Sequence, residues 1–410
     1  MTQKHNMNSS LTEKELKPPP NWDRSGLPAW TYLNDELFEL EKEELFRRHW
    51  QIACHTSDIP EPGCYVTFDI VGERALILRD NEGQIRAFHN LCRHRGSRVV
   101  DASKGRCQGA IVCPFHGWSY SLDGTLRGAA KSHTLPDLDQ CEWGLKSVEM
   151  EIWQGFVFVR FKPGPQPSIA KVLERFSEEV SLYRSEQLLS VEPIECTPAE
   201  NINWKAIRDV DNEGYHVARA HPALHDLYGQ HYFDEPFVNG VSRSYAPFNE
   251  SAGRMWSVRN YKKFVDQLES PYRELPRAWL YIGIFPNNVL GFYPDAVMFY
   301  QDMPFSVSTA AVRGAIYKHP DENRVMRLAR YLSTRIDAMA VEEDRQLTLW
   351  SFEATRSSAY DGILLSDLEY GVKSYHNALR EVIPVMKQKT EPLTGTVSQI
   401  NSASQSGEVK

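Results

Sequence analysis

The sequence predicts an α+β protein built from two domains, and three observations support this. Short β-rich runs alternate with turn signals between residues 50 and 162. A Pro- and Gly-rich segment, Lys162-Pro163-Gly164-Pro165-Gln166-Pro167, then interrupts the chain. Beyond it strands mix with long helices, whose apolar residues recur at helical spacing. A chain of 410 residues is long enough for two such units with separate cores.

Residues 1–49 are predicted to form an arm and a helix that pack on the second domain. Residues 1–28 are polar and contain Pro18-Pro19-Pro20, as expected of an arm. Residues 35–46 have the apolar spacing of an amphipathic helix, with Asn34 as a plausible N-cap.

Residues 50–162 are predicted to form a small antiparallel β domain. The β-rich runs lie at residues 64–68, 75–78, 152–153 and 156–159. Asp80-Asn81-Glu82-Gly83 and Asp123-Gly124 are hairpin signals. Such a domain can present side chains on the loops between its strands.

Residues 163–390 are predicted to form the second domain. Strands are expected at residues 278–285 and 289–292, and helices at residues 330–352 and 367–382. Residues 391–410 are rich in Ser, Gln, Thr and Gly and lack apolar periodicity, so we expect a flexible tail.

Composition narrows the class of protein. The net charge of −8 offers no basic surface for nucleic acid, and no apolar run approaches the length that spans a bilayer. The first residues contain no apolar stretch typical of a secretory signal. Five of the seven cysteines are scattered, which is typical of reduced thiols. We therefore expect a cytoplasmic protein that binds neither membrane nor nucleic acid.

Two short motifs each supply one thiol and one imidazole. They are Cys92-Arg93-His94 and Cys113-Pro114-Phe115-His116. Two Cys and two His suit a [2Fe-2S] cluster in which His replaces Cys on one iron. A structural zinc site is the alternative, although zinc loops usually pair like ligands.

A second pair of histidines, His216 and His221, lies about a hundred residues further on. Five residues rotate an ideal helix by about 500°, which points the two rings apart. A shared metal therefore requires the helix to end between them, and Pro222 favours such an end. On spacing alone, one packed and one solvent-facing His remains the ordinary interpretation.

Both regions resemble the Rieske non-haem iron ring-hydroxylating oxygenases, in their large (alpha) subunit. The matching residues are Cys92 to Gly96, Cys113 to Trp118, Asn203-Trp204-Lys205 and Glu213 through Tyr215-His216 to His221-Pro222. The resemblance implies a [2Fe-2S] cluster held by Cys92, His94, Cys113 and His116. It also implies a helix-grip catalytic domain, in which an antiparallel sheet curls around a long helix.

The same resemblance implies a mononuclear Fe(II) held by His216, His221 and a carboxylate of a C-terminal helix. Asp344 is the expected third ligand, and Glu343 is the competitor. Many family members place Gln eight residues after this Asp, where this chain has Phe352.

One more carboxylate is implied between the two metal centres. By resemblance Glu213 hydrogen-bonds an iron histidine and, across a subunit boundary, a cluster histidine. Asp211 and Asp209 are the alternatives.

The resemblance implies the terminal component of a multicomponent oxygenase. A separate reductase, and in some relatives a ferredoxin, would supply electrons, so NAD(P)H would act only indirectly; no dinucleotide-binding glycine motif occurs in the chain. A head-to-tail homotrimer is implied, and a small beta subunit is left open.

Substrate and O2 chemistry are less determined. Hydroxylation of an aromatic compound, by mono- or dioxygenation, is the first expectation. Oxidative N- or O-demethylation of an N-methyl or quaternary ammonium compound is the alternative, and an electron carrier without oxygenase activity is the second alternative. Aromatic residues of the second half could line a flat pocket or cage a quaternary ammonium. Arg254, Arg259 or Arg313 could pair with a substrate carboxylate.

Overall fold

The computed structural model describes residues 11–406, so the first ten residues of the predicted arm and the last four of the predicted tail lie outside it. The helices that precede the first sheet are α1 (Glu13–Leu16) and α2 (Asp35–Glu41). The Asn34 side chain accepts a hydrogen bond from the backbone N–H of Leu37 at 2.8 Å, so the expected N-cap forms. The helix continues as one π-helical turn, Lys42–Phe46.

The first domain consists of antiparallel strands, as the sequence predicts. They are β1 (Gln51–His55), β2 (Cys64–Ile70), β3 (Glu73–Arg79), β4 (Ile85–His89), β5 (Lys104–Arg106), β6 (Ile111–Val112), β7 (Ser119–Tyr120), β8 (Leu126–Gly128), β9 (Glu149–Trp153) and β10 (Phe156–Arg160). They pair in the orders β4-β3-β2-β5, β6-β7-β8 and β1-β10-β9. Both expected hairpins are present, between β3 and β4 and between β7 and β8.

The second domain is a large antiparallel sheet with helices. In chain order its elements are α3 (Ile169–Val172), α4 (Ser177–Ser181), β11 (Leu189–Ser190), β12 (Glu195–Cys196), α5 (Trp204–Asp211), α6 (Val217–Ala220), α7 (Pro222–Tyr228), β13 (Phe233–Val238), β14 (Val241–Pro247), α8 (Trp256–Val265), β15 (Ala278–Ile284), β16 (Asn288–Phe292), β17 (Ala296–Ser306), β18 (Thr309–Lys318), α9 (Arg324–Ala354), α10 (Tyr370–Val382) and α11 (Val397–Ser406). The sheet order is β11-β18-β17-β16-β15-β14-β13, and β12 also pairs with β18.

The long helix α9 packs on this sheet. Its buried apolar residues, among them Leu332, Ile336 and Ala340, share one hydrophobic core with Trp279 and Leu290 of the strands. This arrangement is the expected helix-grip. The α+β class predicted from the sequence is confirmed.

The sheet β1-β10-β9 lies between the two domains. The Asn288 side chain accepts a hydrogen bond from Ile52 N–H at 3.0 Å and donates one to the Trp50 carbonyl at 3.0 Å. The Arg313 guanidinium donates to the carbonyls of Ile52 and Ala53. Arg313 is therefore a buried structural residue, and the expectation that it could meet a substrate carboxylate is wrong.

Described segments near both ends of the chain contact the second domain. Asp23 accepts a hydrogen bond from Lys373 at 2.8 Å, and Asp367 accepts one from Arg24 at 2.7 Å. The expectation of a flexible tail fails for α11, because Val397 is buried and Asn401 accepts a hydrogen bond from Val385 N–H at 3.2 Å. Tertiary contacts, which composition does not reveal, order this polar segment.

A buried ion pair joins α2 to α5, the helix that leads to His216. Glu41 and Lys205 are in direct contact and fully buried, and Trp204 Nε1–H donates to Glu41 at 2.8 Å. Burial lowers the pKa of Lys205, although Glu41 opposes this effect. The pair thus attaches the N-terminal segment to α5, and removal of either charge should destabilise the fold.

We expect Glu41→Gln to lower the free energy of unfolding by about 3 kcal/mol, because it leaves the Lys205 charge buried without its counter-charge. Urea denaturation followed by circular dichroism measures the loss. Glu39→Gln is the matched control on the same helix, since Glu39 forms an exposed pair with Lys42 and should contribute less than about 1 kcal/mol. Equal losses in the two variants would contradict the prediction.

Candidate metal centres

The four predicted cluster residues lie on two similar turns of the first domain. Cys92 and His94 follow β4, and Cys113 and His116 lie between β6 and β7. The backbone N–H of Gly96 donates to the Cys92 carbonyl at 2.9 Å, and that of Gly117 donates to the Cys113 carbonyl at 3.1 Å. Both glycines have positive φ, +73° and +70°, which these turns require.

The side chains of these turns bring two thiols and two imidazoles together. Cys92 and Cys113 are buried free thiols, and the rings of His94 and His116 lie edge to face at 4.6 Å between centroids. Nδ1 of each histidine is buried and has no hydrogen-bond partner among the residues described. Buried unpaired imidazole nitrogens are costly, so the arrangement fits a group that binds them, and two thiols with two imidazoles fit a [2Fe-2S] cluster.

Aromatic side chains support these turns. The Trp118 ring stacks on His94 at 5.1 Å, with an angle of 9° between the planes. Tyr120 Oη lies 3.3 Å from Cys92 Sγ and accepts a hydrogen bond from Arg93 N–H at 3.0 Å. Burial and the adjacent thiol raise the pKa of Tyr120, so its phenol keeps the proton that it can donate to the sulfur.

The second site forms where the helix breaks between His216 and His221. His216 precedes α6, His221 follows it, and Pro222 begins α7. The break turns the two rings toward each other, so that their Nε2 atoms are 3.0 Å apart. This is the helix end that the spacing of the two residues requires.

Asp344 of α9 completes this group. Its Oδ1 lies 2.8 Å from His221 Nε2 and 3.5 Å from His216 Nε2. One ligand atom from each of the three residues lies within 4.8 Å of the other two, so the three side chains could hold one metal ion. Asp344 Oδ1 is also buried without a hydrogen-bond partner in the described part of the chain.

Two outer carboxylates orient the histidines. Glu213 accepts from His216 Nδ1–H, and Glu343 Oε2 accepts from His221 Nδ1–H at 2.9 Å. When the two rings are neutral, each Nε2 has no proton, since a neutral imidazole carries only one. Two nitrogen lone pairs and a carboxylate oxygen thus face one another, which is unfavourable unless a cation lies between them. The residues therefore fit a mononuclear metal ion.

The same geometry separates the roles of Asp344 and Glu343. Asp344 lies on the Nε2 side of both histidines, whereas Glu343 lies on the Nδ1 side of His221. Sequence reasoning considered Glu343 only as a competing ligand and missed its contact with His221. Its position beside Asp344 on a helix is the signal that could have suggested an outer role.

Glu213 also accepts a hydrogen bond from His216 N–H at 3.2 Å. The two alternatives to it are engaged elsewhere: Asp211 accepts from Tyr300 at 2.6 Å, and Asp209 contacts His376 at 2.7 Å. The implied contact of Glu213 with a cluster histidine of another subunit stays a prediction.

Electrostatics in the site follow from these contacts. Burial lowers the pKa of His216, but its hydrogen bond with Glu213 and the nearby carboxylates outweigh burial, so that its pKa is raised. His221 behaves in the same way, with Asp344 and Glu343 as the opposing groups. A bound cation would compete with protons for these nitrogens.

A row of residues, all of them partly exposed except the buried Gly291, crosses the sheet. Asp234, Ser244, Tyr281, Gly291 and Met298 are successive neighbours on β13 to β17. Tyr281 is the one residue of β15 that is not fully buried. Burial nonetheless raises its pKa well above the ordinary value. Tyr281 therefore keeps some accessible surface although it lies in the middle of the sheet.

Comparisons with known proteins agree with this architecture. The family described as the Rieske [2Fe-2S] domain matches residues 49–139. The family described as the ring hydroxylating alpha subunit (catalytic domain) matches residues 185–384. The two matches contain both candidate metal centres, and they follow one another in the order that the sequence predicts.

Several curated relatives are oxygenase subunits. The chain is 36% identical over 198 residues to the glycine betaine monooxygenase oxygenase subunit of Pseudomonas aeruginosa, covering 48% of this chain and 45% of that protein. It is 33% identical over 220 residues to the carnitine monooxygenase oxygenase subunit of Escherichia coli, covering 51% and 56%. The chain thus spans about half the length of these relatives.

The fold is similar to that of solved structures. A quaternary ammonium Rieske monooxygenase superimposes with a TM-score of 0.73 and 22% identity, covering 87% of this chain and 95% of that chain. In the described residues, no helix is long and apolar enough to cross a membrane. With a Rieske [2Fe-2S] domain followed by the catalytic domain of a ring-hydroxylating alpha subunit, the chain belongs to the Rieske non-haem iron oxygenase family.

Proposed function

We propose that this protein is the terminal oxygenase of a multicomponent system that oxidises an N-methyl or quaternary ammonium compound. The observation that carries the oxygenase assignment is the convergence of His216 Nε2, His221 Nε2 and Asp344 Oδ1, while Nδ1 of each histidine faces an outer carboxylate. Three protein ligands on one side leave positions open for dioxygen and substrate. An electron carrier has no use for such a site.

The substrate class is supported by the relatives. Two of them are named for glycine betaine and carnitine, both quaternary ammonium compounds. An anthranilate 1,2-dioxygenase large subunit is also similar, at 32% identity over 194 residues. The first expectation, hydroxylation of an aromatic compound, therefore has less support than the alternative of oxidation next to nitrogen.

The reaction balances with two external electrons. Iron bound by the three residues would supply the activation of dioxygen. One oxygen atom enters a C–H bond of a carbon attached to nitrogen, and the other leaves as water with two electrons and two protons. The hydroxylated carbon then loses its bond to nitrogen, which releases an aldehyde, an amine and a proton. For an N-methyl group the aldehyde is formaldehyde.

In this scheme the residues of the chain would bind the iron and orient the histidines that hold it. Glu213 and Glu343 fix the tautomers of His216 and His221. A separate reductase supplies electrons to the cluster, so NAD(P)H acts only through it. We also propose the head-to-tail homotrimer of the family, in which one subunit's cluster lies near another subunit's triad.

A substrate panel tests the proposal. Purified protein with a surrogate reductase should consume dioxygen with glycine betaine, carnitine or another quaternary ammonium compound, and form one aldehyde per dioxygen. Anthranilate and benzoate are the comparison substrates. Turnover of the aromatic acids alone would support ring hydroxylation instead. Two irons per chain and no substrate-dependent dioxygen uptake would support the electron carrier.

A further inference from the structure

A second carboxylate of α9 lies on the same side of the helix as Asp344. Asp337 precedes Asp344 by seven residues, which is within about 20° of two full turns and about 10 Å along the axis. Asp337 lies next to Ile336 on the mostly apolar face of α9 that packs in the core of the second domain. A carboxylate on such a face needs a compensating partner.

The contacts of Asp337 are incomplete. Oδ1 accepts a hydrogen bond from Tyr293 Oη at 3.0 Å, whereas Oδ2 is buried and has no hydrogen-bond partner among the described residues. No ion pair reaches Asp337 in the part of the chain that the structure describes. Burial raises the pKa of Asp337 to about 8, although the Tyr293 hydrogen bond opposes the shift.

A neighbouring carboxylate gives the contrast. Asp295 is also buried, but Tyr261 donates to its Oδ1 and Ser333 donates to its Oδ2, each at 2.6 Å. Burial raises the pKa of Asp295 to about 6, which is less than for Asp337. The protein thus satisfies both oxygens of one buried carboxylate and leaves one oxygen of the other unpaired.

An aromatic group that includes Tyr293 lies next to Asp337. The hydroxyls of Tyr293 and Tyr281 are hydrogen-bonded at 2.6 Å, and the Tyr293 ring stacks on Trp279 at 4.1 Å. The carboxylates of Asp337 and Asp344 both contribute to the raised pKa of Tyr228 in α7, so this tyrosine lies near each of them. Asp337, like Tyr281, is partly accessible rather than fully buried.

We propose that Asp337, with Tyr281, Tyr293 and Tyr228, forms the subsite that binds the alkylammonium group of the substrate. This inference rests on the proposed function and extends it. A cation supplies the missing partner of Oδ2, and tyrosine rings add cation-π attraction. A flat aromatic substrate would leave that oxygen unpaired. Because Asp337 and Asp344 leave the same side of α9 about 10 Å apart along the axis, a cation at Asp337 would lie on the side of the helix that carries the triad.

Binding to the holoenzyme tests the subsite without turnover. The probe is tetramethylammonium, with glycine betaine alongside it, and calorimetry gives Kd. We expect Asp337→Asn to weaken binding at least tenfold, about what a desolvated cation-π or charge contact contributes, while iron content stays unchanged. Asp295→Asn is the matched control: it removes a buried carboxylate whose oxygens are already bonded, so Kd should be unchanged.

A neutral isostere separates charge from shape. In the isostere a tert-butyl group replaces the trimethylammonium group. Wild-type protein should prefer the cation, and Asp337→Asn should reduce this preference at least tenfold. Unchanged Kd values and unchanged preference in Asp337→Asn would overturn the subsite. If the cation binds through Asp337 but no aldehyde forms, the subsite stands and the proposed function fails.

The pH dependence of stability tests whether Asp337 is the buried, incompletely paired carboxyl that the subsite requires. The folded pKa of Asp337 is raised from its usual 3.8 to about 8, so the stabilisation present below pH 4 is lost as pH rises to 8. Asp337→Asn lacks this loss. The melting temperature of the ligand-free variant, minus that of wild type, should therefore increase from pH 5 to pH 9. The other titratable groups near Asp337 are Tyr293, Tyr281, Tyr228, Asp295 and Asp344. A melting-temperature difference that decreases from pH 5 to pH 9 would overturn the assignment of Asp337.

Discussion

Replacing Asp344 by alanine is expected to remove the mononuclear iron and to leave the [2Fe-2S] cluster in place. Asp344 Oδ1 is the only carboxylate oxygen on the Nε2 side of both histidines among the ion pairs described. Without it two neutral imidazoles remain, which bind Fe(II) weakly. Iron should fall from about three to about two atoms per chain, and substrate-dependent dioxygen uptake should fall at least about a hundredfold.

Glu343→Gln is the matched control, because Glu343 is the adjacent residue on the same helix. It contacts His221 Nδ1, so its loss should weaken iron binding by about 10- to 100-fold without removing a ligand. Added Fe(II) should then restore turnover in Glu343→Gln but not in Asp344→Ala. If the two variants exchange these results, Glu343 is the ligand and the assignment of Asp344 is wrong. The visible spectrum of the cluster should be the same in both.

Much of this site was predictable because its residues lie in short motifs. Cys92, His94, Cys113 and His116 come from two local turns, and their pattern depends on a few neighbouring residues. The break between His216 and His221 was also predictable, since Pro222 follows directly and a continuous helix would separate the rings.

The third ligand was harder to choose. Asp344 and Glu343 are adjacent, so their directions on a helix differ by about 100°. Which of them faces the histidines depends on how α9 rotates against the sheet, and distant packing of Ile336 and Leu332 sets that rotation. A local pattern carries no information about it. The same rotation decides the environment of Asp337, which sequence reasoning did not single out.

Other differences also arise from distant contacts. Arg313 looked available for a substrate, but the carbonyls of β1 that bind it come from about 260 residues earlier in the chain. The tail looked flexible, but Glu36 of α2 accepts a hydrogen bond from Gly395 N–H at 2.6 Å, just before α11. In both cases the partner belongs to a different segment, and neither segment's composition indicates the contact.

Two inactive variants should restore activity when they form mixed trimers. Cys113→Ser removes a predicted cluster ligand, and Asp344→Ala removes the predicted iron ligand. No chain in the mixture has both centres, so transfer within one subunit gives no turnover. In a head-to-tail trimer of randomly mixed chains, about one quarter of the interfaces join an intact cluster to an intact triad. Co-expressed variants should therefore reach about a quarter of wild-type activity, whereas separately purified variants should remain inactive.

The mixed trimers also show in which subunit Glu213 acts. Glu213 contacts His216, so it should act in the subunit that supplies the triad. Adding Glu213→Gln to the Cys113→Ser chain should abolish the restored activity, because that chain provides the working iron site. Adding it to the Asp344→Ala chain should have no effect, because that chain provides only the cluster. Size-exclusion chromatography confirms that each mixture is trimeric. Equal effects in the two chains would contradict the role of Glu213 beside the iron, and an inactive mixed trimer would contradict electron transfer between subunits.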